Sequence, residues 1–271
     1  MLKHKITPLF ISSDFGALFA MYYAPIASNA SQCILHIPAF AEEMNKSRHM
    51  VAIQAQAWAE QGYSVLVLDL WGTGDSHGDF SAATWDIWLK NIDTAITWLQ
   101  DKGYQSISLW GLRSGVLLAI EYIGKYNAHI DRLICWQPVL NGEQFIMQFL
   151  RLRIATAIID KKKPQEQTSD LKKQLIDGQS VEVAGYCLNP ELVVPMVSVE
   201  IEEINFDNVK QIHIFELTLG SEEQVRYTTT QWIKQIGTNA SLDIINGCSF
   251  WATQEISESV ELIALSSKRV T

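Results

Sequence analysis

Five residues in the middle of the chain carry the strongest chemical signal: Gly111-Leu112-Arg113-Ser114-Gly115. An apolar run at 107–110 precedes them and a helical pattern at 116–126 follows. A tight strand-to-helix turn written Gly-x-Ser-x-Gly is where a large class of hydrolytic enzymes exposes its nucleophile. The glycines are needed because the turn is strained and its backbone passes close to its neighbours. Both glycines are present here, but the central position holds Arg113. A guanidinium is a cation at any accessible pH and has no nucleophilic character. Ser114 stands one position late. It has two readings: a slipped turn that uses its hydroxyl, or a small residue that suits the start of a packed helix.

The same chemistry needs a base. The order in such enzymes is nucleophile, acid, then a histidine after the last strand. The last strand-like run, 242–245, leads into Gly247-Cys248-Ser249-Phe250-Trp251, and no histidine follows His213. Two positions of the triad therefore fail independently, which argues against ordinary Ser-His-acid chemistry. His36, closing a strand, and His77, in a glycine-rich loop, are the substitutes to weigh. A packed strand-end imidazole and a hydrogen-bonded loop imidazole are the plainer readings.

Other chemistry remains available. A helix N-terminus attracts anions, and an arginine placed there adds a bidentate donor for carboxylate or phosphate. The alternative is an internal ion pair of Arg113 with Glu42, Glu43 or Asp75, since buried charges need partners. Glu42 and Glu43 are adjacent carboxylates. They suit general acid–base work if one has a raised pKa, and they equally suit the first turn of a helix. The candidate catalytic residues are thus Arg113, Ser114, Glu42 and Glu43. The candidate ligand contacts are Phe40, Asn45, Arg48, Asp75, Phe250 and Trp251. Rings at Trp71, Trp85 and Trp88 line a cleft or build the core. No cofactor and no metal is expected, because no cysteine or histidine has ligand spacing.

The elements that must position these residues alternate. Strand-like runs occur at 6–12, 16–23, Gln32–Ile37, 63–70, 107–110, 133–136, 212–217 and 242–245. Helical patterns fall at 47–61, 81–102, 116–126 and 255–265, and Ser221 with Gln224 reads as a capping box. The alternation predicts an α/β-hydrolase fold, a mostly parallel sheet covered on both faces. The rhythm breaks between 140 and 208, where a strand-like run at 181–186 and two prolines interrupt it. That stretch is expected to be an inserted cap, with 1–139 and 209–271 forming the core of one domain.

Composition limits the partners. A chain of 271 residues with 48% hydrophobic and 19% charged side chains suits one well-packed domain. Its net charge of −9 disfavours nucleic acid, and the run Lys161-Lys162-Lys163 reads as a solvated loop. The four scattered cysteines fit a reducing compartment. No membrane span or secretion signal is apparent, so a cytoplasmic location is expected.

Several segments together carry a family likeness. They are Phe40-Ala41-Glu42-Glu43-Met44-Asn45-Lys46-Ser47-Arg48, Asp69-Leu70-Trp71-Gly72-Thr73-Gly74-Asp75-Ser76, Gly78-Asp79-Phe80, Trp85-Asp86 and Trp110-Gly111-Leu112-Arg113. Further on come Trp136-Gln137-Pro138-Val139-Leu140, Phe149-Leu150-Arg151-Leu152, Ala184-Gly185-Tyr186, Phe250-Trp251 and Glu255-Ile256. From about 36 to 265 the chain resembles the exosortase A system-associated hydrolases of type 2, in the α/β-hydrolase superfamily. The resemblance implies a bacterial protein that accompanies the exosortase/PEP-CTERM system and exopolysaccharide biosynthesis. It also implies that arginine at the elbow is a family trait. His36-Ile37-Pro38-Ala39 and Thr73 depart from the family pattern, which bears on the loop after the third strand. Two functions follow as expectations: a hydrolase of that system working without the standard triad, or a pseudoenzyme that binds an anionic, sugar or acyl ligand or a protein partner of the system.

Overall fold

The computed structural model describes residues 4–26, 31–160, 167–219 and 225–270. Its framework is an eight-stranded sheet. In chain order the strands are β1 (His4–Ser13), β2 (Gly16–Pro25), β3 (Gln32–Ile37), β4 (Ser64–Leu68), β5 (Ser106–Leu112), β6 (Ile130–Trp136), β9 (Val209–Thr218) and β10 (Ala240–Asn246). They lie in the order β1-β2-β4-β3-β5-β6-β9-β10. From β4 to β10 all neighbours are parallel; β2 alone runs against them, pairing antiparallel with β4 on one side and with β1 on the other.

The central strands are largely apolar because both of their faces are covered, with His36, Ser108 and Glu216 as buried polar exceptions. Successive side chains go to opposite faces, so Leu109 joins one core and Trp110 the other, as do Leu133 and Ile134 on β6. On one face lie α2 (Trp85–Asp101) and α3 (Ser114–Tyr126), whose Val116, Leu117, Leu118, Ala119 and Ile120 are all buried. On the other lie α1 (Glu42–Glu60), which contributes Trp58, and α8 (Val260–Val270), both in the core that holds Trp110 and Trp136.

Between the neighbouring strands β6 and β9 the chain runs through α4 (Gly142–Asp160), α5 (Thr168–Ile176), a hairpin of β7 (Val181–Val183) and β8 (Tyr186–Leu188), and α6 (Pro190–Val197). The single strand expected at 181–186 is thus a hairpin. Ala184 and Gly185 both take positive φ, 51° and 86°, the geometry a two-residue turn demands. Gly142 lets α4 settle on α6, since a Cβ there would stand 2.0 Å from the Met196 carbonyl oxygen. The α7 helix (Tyr227–Ile236) then precedes β10. The lysine run at 161–163 and the capping box at Ser221 and Gln224 lie outside the described residues.

Three helices begin elsewhere than the sequence pattern suggests. The α2 helix starts at Trp85 and not at 81, because Phe80–Ala82 form a separate 3-10 turn and Thr84 caps the helix by accepting the Ile87 N–H. The α1 helix starts at Glu42, five residues before the expected 47, so the Glu42–Glu43 pair forms its first turn. The last helix runs Val260–Val270 instead of 255–265. Thr253 holds the intervening segment as a loop, donating to the Glu255 carbonyl at 2.9 Å and meeting Ser257 Oγ at 3.0 Å. Such hydroxyl bonds compete with helix formation.

Candidate functional site

The turn between β5 and α3 is packed against backbone at both of its glycines. A Cβ on Gly115 would stand 2.3 Å from the Ile37 carbonyl oxygen and 2.6 Å from that of Pro38. A Cβ on Gly111 would meet Val116 N at 2.6 Å. Arg113 is at its tip with φ 55° and ψ −118°, a conformation that costs a non-glycine residue about 1–3 kcal/mol. The backbone is clamped from both sides. Arg113 N donates to the Trp136 carbonyl at 2.9 Å, and Val139 N donates to the Arg113 carbonyl at 3.1 Å. Ser114 lies in the first turn of α3, with 4% of its surface exposed.

A second strained residue faces this turn. Ala41, with φ 51° and ψ −127°, ends the loop after β3 and starts α1. That start places Glu43 against Arg113. Arg113 Nε donates to both Glu43 oxygens, at 3.3 and 3.2 Å, and Nη2 donates to Oε1 at 3.2 Å. The guanidinium also lies 5.4 Å from the Trp251 ring and 5.7 Å from that of Phe145, within cation–π range. Burial raises the Glu43 carboxyl above its usual 4.5, outweighing the opposing pull of Arg113 and then Lys46.

Trp251 comes from the loop after β10, where the sequence order would put a histidine. A train of edge-to-face rings holds it there: Trp58 on Trp110 at 4.8 Å, Trp110 on Trp136 at 4.7 Å, Trp136 on Phe250 at 6.0 Å, and Phe250 on Trp251 at 5.0 Å. Trp136 Nε1 anchors the train to Ser266 Oγ of α8 at 2.8 Å. Phe250 is therefore a buttress, buried behind the indole.

Two chambers open on either side of Arg113. The larger, about 400 Å³, is walled by Phe145, Phe149 and Leu152 of α4, by Trp251, and by Tyr186 of the β7–β8 hairpin, with Glu43 at its base. Phe40 sits behind this wall among Phe80, Trp88, Phe145 and Phe149. At the rim, Tyr186 donates to Glu42 Oε2 at 3.0 Å, and Asn45 Nδ2 reaches both Glu42 and the Tyr186 hydroxyl at 3.2 Å. The second chamber, about 330 Å³, is lined by Arg113, Asn141, Gln144, Gln148, Arg226 and Thr228, among others.

The structure thus brings Arg113, Glu42, Glu43, Asn45 and Trp251 to one place. Arg48 and Asp75 belong to another. Arg48 Nη2 donates to both oxygens of buried Asp69 at 3.1 Å, and Asp75 donates its backbone N–H to Asp69 at 3.0 Å. His36 is buried on β3 with Nδ1 at the Trp110 carbonyl, 3.1 Å away, and burial lowers its pKa to about 3. His77 is exposed in its loop. His213 is buried beside Ser241, and desolvation lowers its pKa to about 4. Among the described residues no cluster of three or more His, Cys, Asp or Glu side chains is placed to hold a metal ion, and no helix is long and apolar enough to cross a membrane. Residue types alone did not single out Phe145, Gln144, Gln148, Tyr186 and Arg226. The i, i+4, i+7 spacing of Phe145, Phe149 and Leu152 was the available signal.

A family model described as serine aminopeptidase, S33, matches residues 16–207. Among solved structures the chain is similar to Est1E from Butyrivibrio proteoclasticus with ferulic acid bound. The TM-score is 0.66 and the identity 21%, over 97% of this chain and 96% of that one. It is also similar to an alpha-beta serine hydrolase homologue from Coxiella burnetii, with TM-score 0.60 and identity 14%, over 98% and 97% of the two chains. A third is the Pyrococcus furiosus esterase PF2001, with TM-score 0.60 and identity 13%, over 99% and 90%. At these identities the likeness concerns the fold. No curated protein matches the chain.

Proposed function

The chain belongs to the serine aminopeptidase S33 family of α/β-hydrolase-fold proteins, and from that premise we propose that it binds a small organic acid without Ser-His-acid chemistry. One observation carries this reading. The strained tip presents Arg113, pinned by Glu43 and faced by Trp251. Ser-His-acid acyl transfer would need a serine at that tip and a histidine facing it. Glu43 engages Nε and one side of Nη2, and among the described residues Nη1 has no hydrogen-bond partner. An acceptor group of the ligand takes those free N–H groups, and its acyl or aryl body lies along Phe145, Phe149, Leu152 and Trp251. Residues 140–208 act as the cap over it. The ferulic acid bound to Est1E has this composition, a ring joined to a carboxyl group.

The resemblance to the exosortase A system-associated hydrolases of type 2 supplies the setting. The ligand then belongs to exopolysaccharide or PEP-CTERM processing in the bacterial cytoplasm, and a protein of that system is the natural partner. Ferulate titrated by calorimetry is the first test. Arg113→Ala should weaken it about tenfold or more, the worth of a charge-assisted hydrogen bond. Unchanged affinity, or no binding to the parent protein, overturns the assignment. A fluorophosphonate probe tests the absence of serine chemistry. Labelling that disappears in Ser114→Ala would make the protein a serine hydrolase with a slipped turn.

The raised carboxyl of Glu43 favours a second reading, hydrolysis by general acid–base catalysis at that residue. Aryl-ester turnover lost in Glu43→Gln and kept in Ser114→Ala would establish it in place of the first.

A further inference from the structure

The α4 helix passes over Arg113 with two different stripes. Gln144 and Gln148 follow i, i+4 spacing on the helix and line the 330 Å³ chamber together with Asn141 just before it, whose Oδ1 accepts the Gln144 N–H at 2.7 Å. Phe145, Phe149 and Leu152 follow i, i+4, i+7 spacing and line the 400 Å³ chamber. At 100° per residue the stripes are adjacent, so the helix divides one site into an amide-walled half and an aromatic half. The halves share Arg113, Phe145 and Gln148.

Arg226 closes the amide half. It is built like Arg113. Its Nε donates to Glu216 Oε1 at 2.6 Å, and its backbone N–H donates to Oε2 at 3.2 Å. Glu216 is buried on β9 and also accepts from Thr229 Oγ1 at 2.5 Å. Each guanidinium is therefore aimed by a carboxylate behind it. Among the described residues neither Nη1 has a hydrogen-bond partner. Amide side chains both donate and accept, which matches hydroxyl groups, whereas guanidinium groups match oxyanions.

We propose that the amide-walled chamber is a subsite for a hydroxyl-rich head group carrying an oxyanion, of the sugar-phosphate class. The inference rests on the reading above only for the other end of the ligand. With the aromatic chamber occupied by an acyl or aryl group, the whole ligand is a two-part conjugate joined across Arg113.

Glucose 1-phosphate is the probe, titrated by calorimetry beside inorganic phosphate and ferulate. The parent protein should bind glucose 1-phosphate at least tenfold more tightly than inorganic phosphate. Arg226→Gln should weaken glucose 1-phosphate about tenfold and leave ferulate within twofold. Because Arg226→Gln leaves Glu216 buried without its cation and endangers the fold, Gln144→Ala is the second variant. Gln144 is exposed on a helix, where alanine is tolerated, and its loss should weaken glucose 1-phosphate severalfold. No binding of glucose 1-phosphate, affinity equal to that of inorganic phosphate, or indifference to Gln144→Ala overturns the subsite. Loss of ferulate binding alone in Arg113→Ala, with glucose 1-phosphate unbound, would leave the first reading standing and sink this one. The converse pattern would retain the subsite and remove the aromatic ligand.

Discussion

Arg48 and Arg113 are both held by carboxylates near the carboxyl end of the sheet, and they serve different ends. Arg48 grips Asp69, which also accepts the Asp75 N–H, and the result ties α1 to the loop after β4. Arg113 grips Glu43 from a strained backbone, between two chambers and against two aromatic faces. The first pair closes a loop; the second costs the fold strain and, among the described residues, leaves Nη1 without a hydrogen-bond partner. Strained backbone clusters at functional sites and so supports the proposal for Arg113, which an ion pair alone does not.

Breaking the turn that supports Arg113 should have the largest effect. In Gly115→Ala the new methyl meets two backbone carbonyl oxygens that have no room to move. Overpacking against backbone of this kind should cost about 3 kcal/mol or more, read as a lowered urea midpoint. A stability within about 0.5 kcal/mol of the parent would show that the turn is not constrained as described. Trp251→Ala comes next. Removing a buried indole typically costs about 3–5 kcal/mol at full burial, and this one ends its ring train at Arg113, so ferulate binding should fall along with stability. Arg48→Ala sharpens the contrast. It leaves buried Asp69 with fewer donors, a loss of about 1–3 kcal/mol, while ferulate affinity should stay unchanged. A loss of affinity there would return Arg48 to the site.

Sequence made the sheet legible because its central strands contain short apolar runs, as at 33–35 and 65–68, with Pro38 and Gly62 as nearby stops. The elbow was legible because Gly111 and Gly115 are demanded by backbone contact. The start of α1 was hidden: Ala41 takes a positive φ that alanine rarely adopts, and only the surrounding loop imposes it. That one residue decides that Glu43, and not Glu42 or Asp75, meets Arg113. The grouping of Arg48 and Asp75 with the site failed for the same reason, because charge and neighbourhood in sequence do not say which way a loop turns. Arg226 stayed unseen because its partner, Glu216, lies ten residues earlier on a buried strand, a pairing without a local pattern.

The smallest expected effect asks which force governs the Glu43–Arg113 pair. Its bonds, at 3.2 to 3.3 Å, are long for charge-assisted ones, which run nearer 2.8 Å. Weak pairing is consistent with burial dominating and raising the carboxyl. A carboxyl raised on folding binds more protons in the native chain than in the unfolded one. The window opens near the usual 4.5 and closes above the raised native value. Across it stability must fall as pH rises, and outside it Glu43 contributes no slope. Glu43→Gln removes the titration. Urea midpoints of both proteins from about pH 4 to pH 8 should therefore give a parent-minus-variant difference that declines with rising pH. A difference that climbs instead would mean that Arg113 lowers the carboxyl below 4.5, making this pair an ordinary salt bridge.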